Sequence, residues 1–287
     1  MYPVIYKFGP ITLNSFGAML VLAFLTASFL LEKELERKKL PIEAGSTVTL
    51  ISIFLGILGS KLFHLFENFS LFLDNPFEMI FNASGLTFYG GLILAISGNV
   101  YYLKKNNIPL LPFFDAAAPS LMIAYGIGRI GCLLAGDGCY GDPTLSQFGM
   151  TFPNGIISTL SSVNLELAQR FAELYPKEPI PKDIPVHPTP IYEFFYSLGI
   201  FGFLWLIRTA SSPAGKLFAI YLILQAAARF FIEFIRLNDL FLFGFTQAQV
   251  ISIGLFLSGL GMLFIVSKRP HWESLPDPVK KKVAKKN

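Results

Sequence analysis

The stretch from residue 128 to residue 141 combines an arginine, a carboxylate, two cysteines and several glycines at the end of a long apolar run. Its arginine is Arg129 and its carboxylate is Asp137. An arginine in a membrane is costly wherever it cannot reach water, so it usually faces a cavity or a partner. Glycines allow the backbone to approach another helix or a ligand closely. We therefore interpret this stretch as one wall of a polar site within a membrane.

A second group of ionisable residues closes another apolar run. Arg229, Glu233 and Arg236 are spaced four and three residues apart, so a helix would carry them on one face. One interpretation is an intramembrane salt bridge that fixes helix packing, with Arg129 separately snorkelling toward lipid headgroups. The other is a phosphate site, because guanidinium groups bind phosphate oxygens bidentately. Three arginines together with Lys61 favour the phosphate site.

Several further residues carry more than one interpretation. His187 lies in a proline-rich segment and is either a ligand contact or a structural hydrogen-bond partner. Glu193 stands in the first turn of a predicted helix, where the helix dipole favours a carboxylate as a cap. Gly90 and Gly91 are typical of close helix packing and also of a backbone that approaches a ligand. Cys132 could simply serve as a small residue where two helices pack together.

The composition indicates a polytopic membrane protein. Of 287 residues, 53% are hydrophobic and only 15% are charged, whereas a soluble domain carries about 25% charged residues. The net charge of +4 comes largely from the C-terminal tail, so it reports on membrane topology and does not indicate nucleic acid as a partner. Cys132 and Cys139 are too few for a disulfide framework, and their spacing matches no metal motif. The sequence contains no P-loop, nucleotide fingerprint or serine-nucleophile elbow.

Seven sparsely charged runs are long enough to cross a bilayer core of about 30 Å. The first is not a signal peptide, because no basic segment precedes it and no small-residue cleavage site follows. The predicted fold is therefore an all-α polytopic membrane protein with seven transmembrane helices. The predicted spans are Ile11–Leu31, Ala44–Phe66, Gly85–Leu103, Phe113–Ala135, Thr189–Ile207, Ala214–Ile235 and Thr246–Val266.

The charges of the loops orient these spans. Lysine and arginine concentrate after spans one, three and five and in the tail, whereas loop two has no base. The N-terminus is therefore predicted outside and the C-terminus in the cytoplasm. We predict one seven-helix domain, residues 1–267, and a basic cytoplasmic tail, residues 268–287. Residues 136–188 form a long periplasmic head or loop with a short helix around Leu165–Leu174. This orientation gathers the candidate residues at the outer ends of the spans.

Five segments resemble, in order and over nearly the whole chain, motifs of the prolipoprotein diacylglyceryl transferase family of the bacterial inner membrane. The family pattern Arg-Phe-x-x-Glu-x-x-Arg is matched in full by residues 229–236, and Lys61 stands where the family tends to have arginine. The five segments are Phe88–Leu92, Gly128–Gly141, His187–Glu193, Arg229–Arg236 and Ala248–Ser252.

The sequence departs from the family at four positions. Tyr89 occupies the position of the histidine in the family motif Phe-His-Gly-Gly-Leu. Cys132 replaces the signature asparagine, and Asp137 replaces a glutamate. Phe16 replaces a tyrosine in the first span, and one extra residue precedes Gly141. A tyrosine can hydrogen-bond a lipid headgroup, but its ordinary pKa near 10 makes it a weak base at neutral pH.

The resemblance implies transfer of the diacylglyceryl group of phosphatidylglycerol to the lipobox cysteine thiol of a prolipoprotein. Glycerol phosphate leaves, and its growing charge requires fixed positive groups. The partners implied are phosphatidylglycerol, prolipoprotein signal peptides and membrane lipid, with no nucleic acid, no cofactor and no metal. Arg129 and Arg229 would bind the phosphate, and Tyr89 would hydrogen-bond or transfer a proton. Glu233 would hold an arginine in place.

The implied roles give two sets of residues. The predicted catalytic residues are Arg129, Arg229, Glu233 and Tyr89. The predicted phosphatidylglycerol-binding residues are Arg129, Asp137, Lys61, Arg236, Gly90, Gly91, Glu193 and His187. Two alternatives remain open: a catalytically inactive or repurposed family member that binds lipid or lipoprotein precursors, and a transporter of an anionic solute. The transporter is disfavoured because the polar residues all lie on one side, whereas transport sites lie near the midplane between internal repeats.

Overall fold

The computed structural model describes residues 2–9, 11–81, 87–210, 212–269 and 271, and these residues are mostly helical. Most of the predicted basic tail, 268–287, lies outside the described residues. The elements are, in chain order, β1 (Val4–Phe8), β2 (Ile11–Asn14), α1 (Ser15–Arg37), α2 (Glu43–Glu67), α3 (Phe69–Asp74), α4 (Pro76–Phe81), α5 (Phe88–Lys105), α6 (Leu110–Ala135), α7 (Leu165–Leu174), α8 (Thr189–Ile207), α9 (Lys216–Ile232), a 3-10 turn (Glu233–Ile235), β3 (Leu240–Leu242), β4 (Phe245–Thr246) and α10 (Gln247–Val266).

Six helices in the described part of the chain are long and apolar enough to cross a membrane, as expected of a multi-pass membrane protein. They are α1, α2, α6, α8, α9 with its 3-10 extension, and α10. The predicted span Gly85–Leu103 begins outside the described residues and continues as α5. The 18 residues of α5 reach about 27 Å at 1.5 Å per residue and end in two lysines, so α5 is not among the six. The predicted count of seven is therefore not confirmed.

Two short antiparallel hairpins depart from the all-α prediction. Strands β1 and β2 pair around a turn at Gly9, whose φ of +57° suits a residue without a Cβ. The first span was predicted from Ile11, but helix α1 begins only at Ser15 because residues 11–14 form β2. The charged residues that follow, predicted as a loop, continue α1 to Arg37. Strands β3 and β4 form the second hairpin, just before α10.

The chain divides into two compact units. Among the described residues, the first unit contains residues 2–27 and 117–271, and the second contains residues 28–116. In the second unit, α2 packs along α5. Gly59 and Gly90 face one another at this contact, and a Cβ on Gly91 would collide with Ser60. Small residues therefore allow the two backbones to approach closely.

In the first unit, α9 packs against both α8 and α10. A Cβ on Gly259 of α10 would lie 2.8 Å from Cγ1 of Ile223, so this glycine permits the close approach to α9. Helix α10 begins with a capping box: Thr246 accepts from the backbone of Gln249, and the Gln249 side chain accepts from the backbone of Thr246. The start of α10 is thereby fixed beside the end of α9.

Residues 136–188 form a packed head with an apolar core. The predicted short helix is confirmed as α7, and the side chain of its N-cap, Asn164, accepts from the Leu167 backbone at 3.0 Å. A hydrophobic face of α7 covers the core. The buried core residues are Tyr140, Phe152, Leu167, Phe171, Ile184 and Val186.

Candidate functional site

The carboxylate of Glu193 is the centre of a charged cluster in the first unit. Glu193 is the fifth residue of α8 and is fully buried. Its Oε2 lies 2.5 Å from Nε of Arg129, and its Oε1 lies 2.8 Å from Nη1 of Arg236 and 3.3 Å from Nη1 of Arg229. The interpretation of Glu193 as a helix cap is wrong, because it stands beyond the first turn and its side chain binds guanidinium groups.

Two regions distant in sequence supply the arginines of this cluster. Arg129 comes from α6 and Arg229 from the last turn of α9. Arg236 follows the 3-10 turn and has an extended backbone, so it does not share one continuous helical face with Arg229, as the sequence spacing had predicted. The helix ends early, and the chain instead brings Arg236 to Glu193 from another direction. Because three half-buried arginines from different elements surround one buried carboxylate, the cluster depends on correct folding of the whole unit.

Glu233 is the second carboxylate of the cluster. Its Oε2 lies 2.8 Å from Nη2 of Arg229 and 3.8 Å from Nε of Arg236. Its Oε1 accepts hydrogen bonds from Oγ1 of Thr246, at 3.0 Å, and from the Asn238 side chain. Glu233 therefore connects the arginines to the capped start of α10 and restricts their orientation.

Two tyrosines that the sequence did not single out complete the surroundings of Glu193. The hydroxyl of Tyr125 donates to Oε2 of Glu193 and accepts, at 2.9 Å, from the hydroxyl of Tyr196. The guanidinium carbon of Arg129 lies 4.8 Å from the centre of the Tyr125 ring, a cation–π distance. The spacing was a usable signal, because Tyr125 precedes Arg129 by one helical turn and so lies on the same face.

Replacing Tyr125 with phenylalanine is expected to lower the free energy of unfolding by about 1.5–3 kcal/mol, the range for hydrogen bonds to charged groups. The change removes the donor to Glu193 and leaves the Tyr196 hydroxyl without its acceptor. Thermal unfolding in detergent would measure the effect. Tyr175→Phe is the matched control, since the Tyr175 hydroxyl makes a long 3.5 Å contact in the head. Equal stability of the two variants would contradict the proposed contribution of Tyr125.

The glycine-rich stretch packs directly against the segment that carries Arg236. The backbone N–H of Asp142 donates to the Ile235 carbonyl at 2.8 Å, and the backbones of Gly141 and Arg236 pair as an isolated antiparallel β-bridge. A Cβ on Gly141 would collide with the Ile235 carbonyl and lie 2.9 Å from Cγ2 of Thr189. Only glycine therefore fits at position 141 while Arg236 keeps its place.

Replacing Gly141 with alanine is expected to destabilise the protein by about 1–3 kcal/mol, the usual range for overpacking, and to displace Arg236. Thermal unfolding and ligand binding would measure the two effects. Gly128→Ala serves as the control, because a Cβ there meets nothing within 4 Å. If Gly141→Ala behaved like Gly128→Ala, the close contact with Ile235 would not hold Arg236 in position.

Cys132, Cys139 and Asp137 come together where α6 ends. Their two Sγ atoms and one carboxylate oxygen all lie within 4.8 Å of one another. Nη1 of Arg129 lies 4.0 Å from the sulfur of Cys132 and 3.9 Å from that of Cys139. Oδ1 of Asp137 accepts from the Cys139 backbone at 3.2 Å. The seven-residue spacing gave no metal prediction, and the nearby guanidinium disfavours a bound cation.

The other predicted residues make contacts of their own. Nδ1 of His187 is 3.5 Å from the hydroxyl of Tyr192, and the His187 backbone pairs with the glycine-rich stretch. Lys61, Tyr89, Gly90 and Gly91 belong to the second unit. Gly90 and Gly91 are buried in the packing of α2 against α5, and Tyr89 is half-buried.

A cavity reaches part of the cluster. Three guanidinium groups face two carboxylates here, and the Asp137 carboxylate lies near the two sulfurs that Arg129 contacts. Within the described residues, the buried Nε of Arg236 makes no hydrogen bond. A cavity of about 660 Å³ reaches Glu233 and Arg236 and is also lined by Gly138, Arg170 and Gln249. Its volume is within the usual range for ligand pockets.

Comparison with known proteins gives concordant matches. The model of the family described as prolipoprotein diacylglyceryl transferase matches residues 3–265. A phosphatidylglycerol–prolipoprotein diacylglyceryl transferase of Leptospira interrogans is 29% identical over 91% of this chain and 90% of its own length. Relatives with the same name from Clostridium tetani and Dehalococcoides mccartyi are 31% and 30% identical over 82% and 93% of this chain, and over 86% and 94% of their own lengths.

Proposed function

Because the chain belongs to the prolipoprotein diacylglyceryl transferase family of membrane transferases, we propose that it transfers the diacylglyceryl group of phosphatidylglycerol to the lipobox cysteine of prolipoproteins. The observation that carries the proposal is the convergence of Arg129, Arg229 and Arg236 on the buried Glu193. A site of this kind suits the phosphate group of a lipid. The names of the relatives support the choice of both substrates.

In the proposed reaction, the thiolate of the substrate cysteine attacks the glycerol carbon bonded to the phosphate oxygen. A carbon–sulfur bond forms, the carbon–oxygen bond breaks, and glycerol phosphate leaves with the bonding electrons. Negative charge grows on the leaving phosphate, and guanidinium groups already oriented around it lower the barrier without reorganising. Arg129 and Arg229 are proposed to bind this phosphate, with Arg236 in support.

Glu193 and Glu233 are proposed to keep the arginines preorganised. Their carboxylates hold each guanidinium in a fixed direction, and unused N–H groups remain available to a phosphate because each guanidinium has five donors. Glu193 would therefore act on the phosphate through the arginines. This differs from the direct phosphatidylglycerol contact that the family resemblance implied.

Other proposed roles rest on the family motifs. Tyr89 would hydrogen-bond the headgroup or transfer the proton of the attacking thiol, and Lys61 would support the phosphate. Asp137 would bind headgroup hydroxyls or order Arg129, and His187 would contact the lipid. Gly90 and Gly91, predicted to contact lipid as well, are proposed chiefly to hold α5 against α2.

We also propose the finer topology. Helix α5 would cross the membrane as a seventh span, with the N-terminus outside and the C-terminus in the cytoplasm of a bacterial inner membrane. Lysines at the C-terminal end of α5 and in the tail support this orientation by the positive-inside rule. Residues 1–267 would then form the catalytic domain, and the head formed by residues 136–188 would lie in the periplasm.

The test uses the purified protein in detergent, phosphatidylglycerol and a lipobox peptide with one cysteine. Mass spectrometry is expected to find a diacylglyceryl thioether on the peptide, and a peptide with serine in place of the cysteine is the control. Absence of product, while a histidine-bearing relative works in parallel, would overturn the proposed activity. Lipid or precursor binding without turnover would then assign the chain to a non-catalytic role.

Replacing Tyr89 with histidine separates the two roles considered for this residue. If proton transfer limits turnover, histidine is expected to raise the rate at neutral pH, because its ordinary pKa near 6.5 makes it the better base. The initial rate of thioether formation at pH 7 would measure this. An unchanged or lower rate would limit Tyr89 to hydrogen bonding of the headgroup.

A further inference from the structure

The only two cysteines of the chain meet beside the arginine cluster. Cys132 lies in the last turn of α6, and Gly136 and Gly138, with φ values of +59° and +83°, turn the chain back toward it. The sulfurs of Cys132 and Cys139 thereby lie within 4.8 Å of one another. Two thiols this close together beside an arginine could react with one another.

The electrostatic surroundings favour a thiolate on Cys139. The neighbouring Cys132 thiol, as a hydrogen-bond donor, lowers the pKa of the Cys139 thiol to about 7. Burial and the Asp137 carboxylate oppose this shift, whereas the positive charges of Arg236 and Arg129 add to it. Thiolates, and not thiols, attack disulfides. Cys139 is also partly exposed, whereas Cys132 is buried. The pair therefore has the arrangement of an attacking thiol with a resolving thiol beside it.

We propose that Cys132 and Cys139 are a reversible redox pair, which a small disulfide oxidant converts into an intramolecular disulfide beside Arg129. The Cys139 thiolate attacks one sulfur of the oxidant and releases one thiolate. The Cys132 thiol then loses its proton and attacks the Cys139 sulfur, which releases the second thiolate. In sum, the two protein thiols lose two electrons and two protons, and the oxidant becomes two thiols.

The two sulfurs are close enough to be candidates for this bond. They lie within 4.8 Å of one another, whereas a disulfide requires about 2.05 Å, so the two side chains must move closer for the bond to form. The Cys139 backbone is held independently, because its carbonyl accepts from Oγ1 of Thr189 at 2.5 Å. In the proposed orientation the pair lies on the outer side of the membrane, where thiol oxidants act. A bound metal ion is the less favoured occupant, because Arg129 already places a positive charge at the sulfurs.

The test incubates the full-length protein in detergent with oxidised glutathione and then traps free thiols with a maleimide. Both thiols are expected to disappear, with the Cys132–Cys139 cross-link found by peptide mass spectrometry, no retained glutathione and a monomer on a non-reducing gel. Dithiothreitol is expected to restore both thiols. The rate is expected to rise about tenfold per pH unit below pH 7 and to level off above it, as the Cys139 thiolate fraction saturates.

Two variants assign the roles within the pair. Cys132→Ser is expected to retain glutathione on Cys139, because no thiol remains to resolve the mixed disulfide. Cys139→Ser is expected to react much more slowly, because Cys132 is buried. Three results in the wild-type protein would each overturn the proposal: a retained glutathione adduct, dimers linked by disulfides, or thiols that stay free at pH 8 while the denatured chain oxidises. Protection of both thiols by Zn²⁺ alone would assign the cluster to a metal and overturn it as well.

A second readout rests on the proposed function. A phosphate bound to Arg129 would offset the positive charge that acts on Cys139, so phosphatidylglycerol is expected to slow oxidation, whereas diacylglycerol, which has no phosphate, is the control. Equal rates in the two lipids would count against phosphate binding at Arg129. The cross-link in the absence of phosphatidylglycerol would still establish the redox pair, so the two ideas fail separately.

Discussion

Replacing Glu193 with glutamine is expected to abolish transfer and to lower the free energy of unfolding by about 3–5 kcal/mol, the range for breaking a buried ion pair from one side. Glutamine keeps the volume of the side chain but removes the charge that three guanidinium groups share. The arginines are mostly buried and would repel one another without it. Thermal unfolding followed by intrinsic fluorescence, together with thioether formation, would measure both effects.

Glu173→Gln is the control for this variant. The Glu173 side chain is 65% exposed and lies 3.7 Å from Arg170, so removing its charge is expected to change stability by less than about 1 kcal/mol. If Glu193→Gln unfolded at the wild-type temperature and retained turnover, Glu193 would not be the centre on which the site depends. Stability loss with retained turnover would limit Glu193 to folding.

Replacing Arg129 with lysine is expected to reduce the transfer rate about 10²–10³-fold while the protein still inserts into the membrane, a loss typical of removing one donor to a developing anion. Arg129 uses Nε for Glu193 and keeps its terminal nitrogens for other partners. A single ammonium cannot do both, because lysine lacks the planar fork. The initial rate at saturating phosphatidylglycerol would show the effect. Arg129→Ala and Arg229→Ala are expected to abolish transfer.

Arg208→Lys is the control for the arginine variants. Arg208 follows the far end of α8, about 20 Å from Glu193 at 1.5 Å per residue, and its guanidinium stacks on Trp205. Its replacement is expected to leave the rate within about twofold, since it is remote from the site. A rate for Arg129→Lys close to that of Arg208→Lys would remove Arg129 from phosphate binding.

Local patterns in the sequence predicted what depends on neighbours along the chain. The spacing of Arg229 and Glu233 predicted their contact, which the structure shows at 2.8 Å. The bounds of α7 and α8 were predicted correctly, because polarity and proline mark their starts. The strand at residues 11–14 was missed, because its four residues are uncharged and directly precede a long apolar run, so no boundary between the two is visible in the sequence.

The central position of Glu193 was not predictable from spacing. Its partners come from residues 64, 36 and 43 positions away, and no periodic pattern encodes contacts across three helices. The meeting of Cys132 with Cys139 was hidden for a related reason. It depends on two glycines with positive φ, whose backbone conformations the composition does not reveal.

The placement of Glu193 in α8 also sets an order of events during synthesis. Arg129 is translated 64 residues before Glu193 and about a hundred residues before Arg229 and Arg236. At about 5–20 residues per second, Arg129 waits several seconds for its counter-charge. The head, whose core residues all lie between α6 and α8 in sequence, is complete by then. A ribosome stalled before α8 would therefore leave an unneutralised arginine in the nascent membrane helix, a state suited to recognition by quality-control proteases.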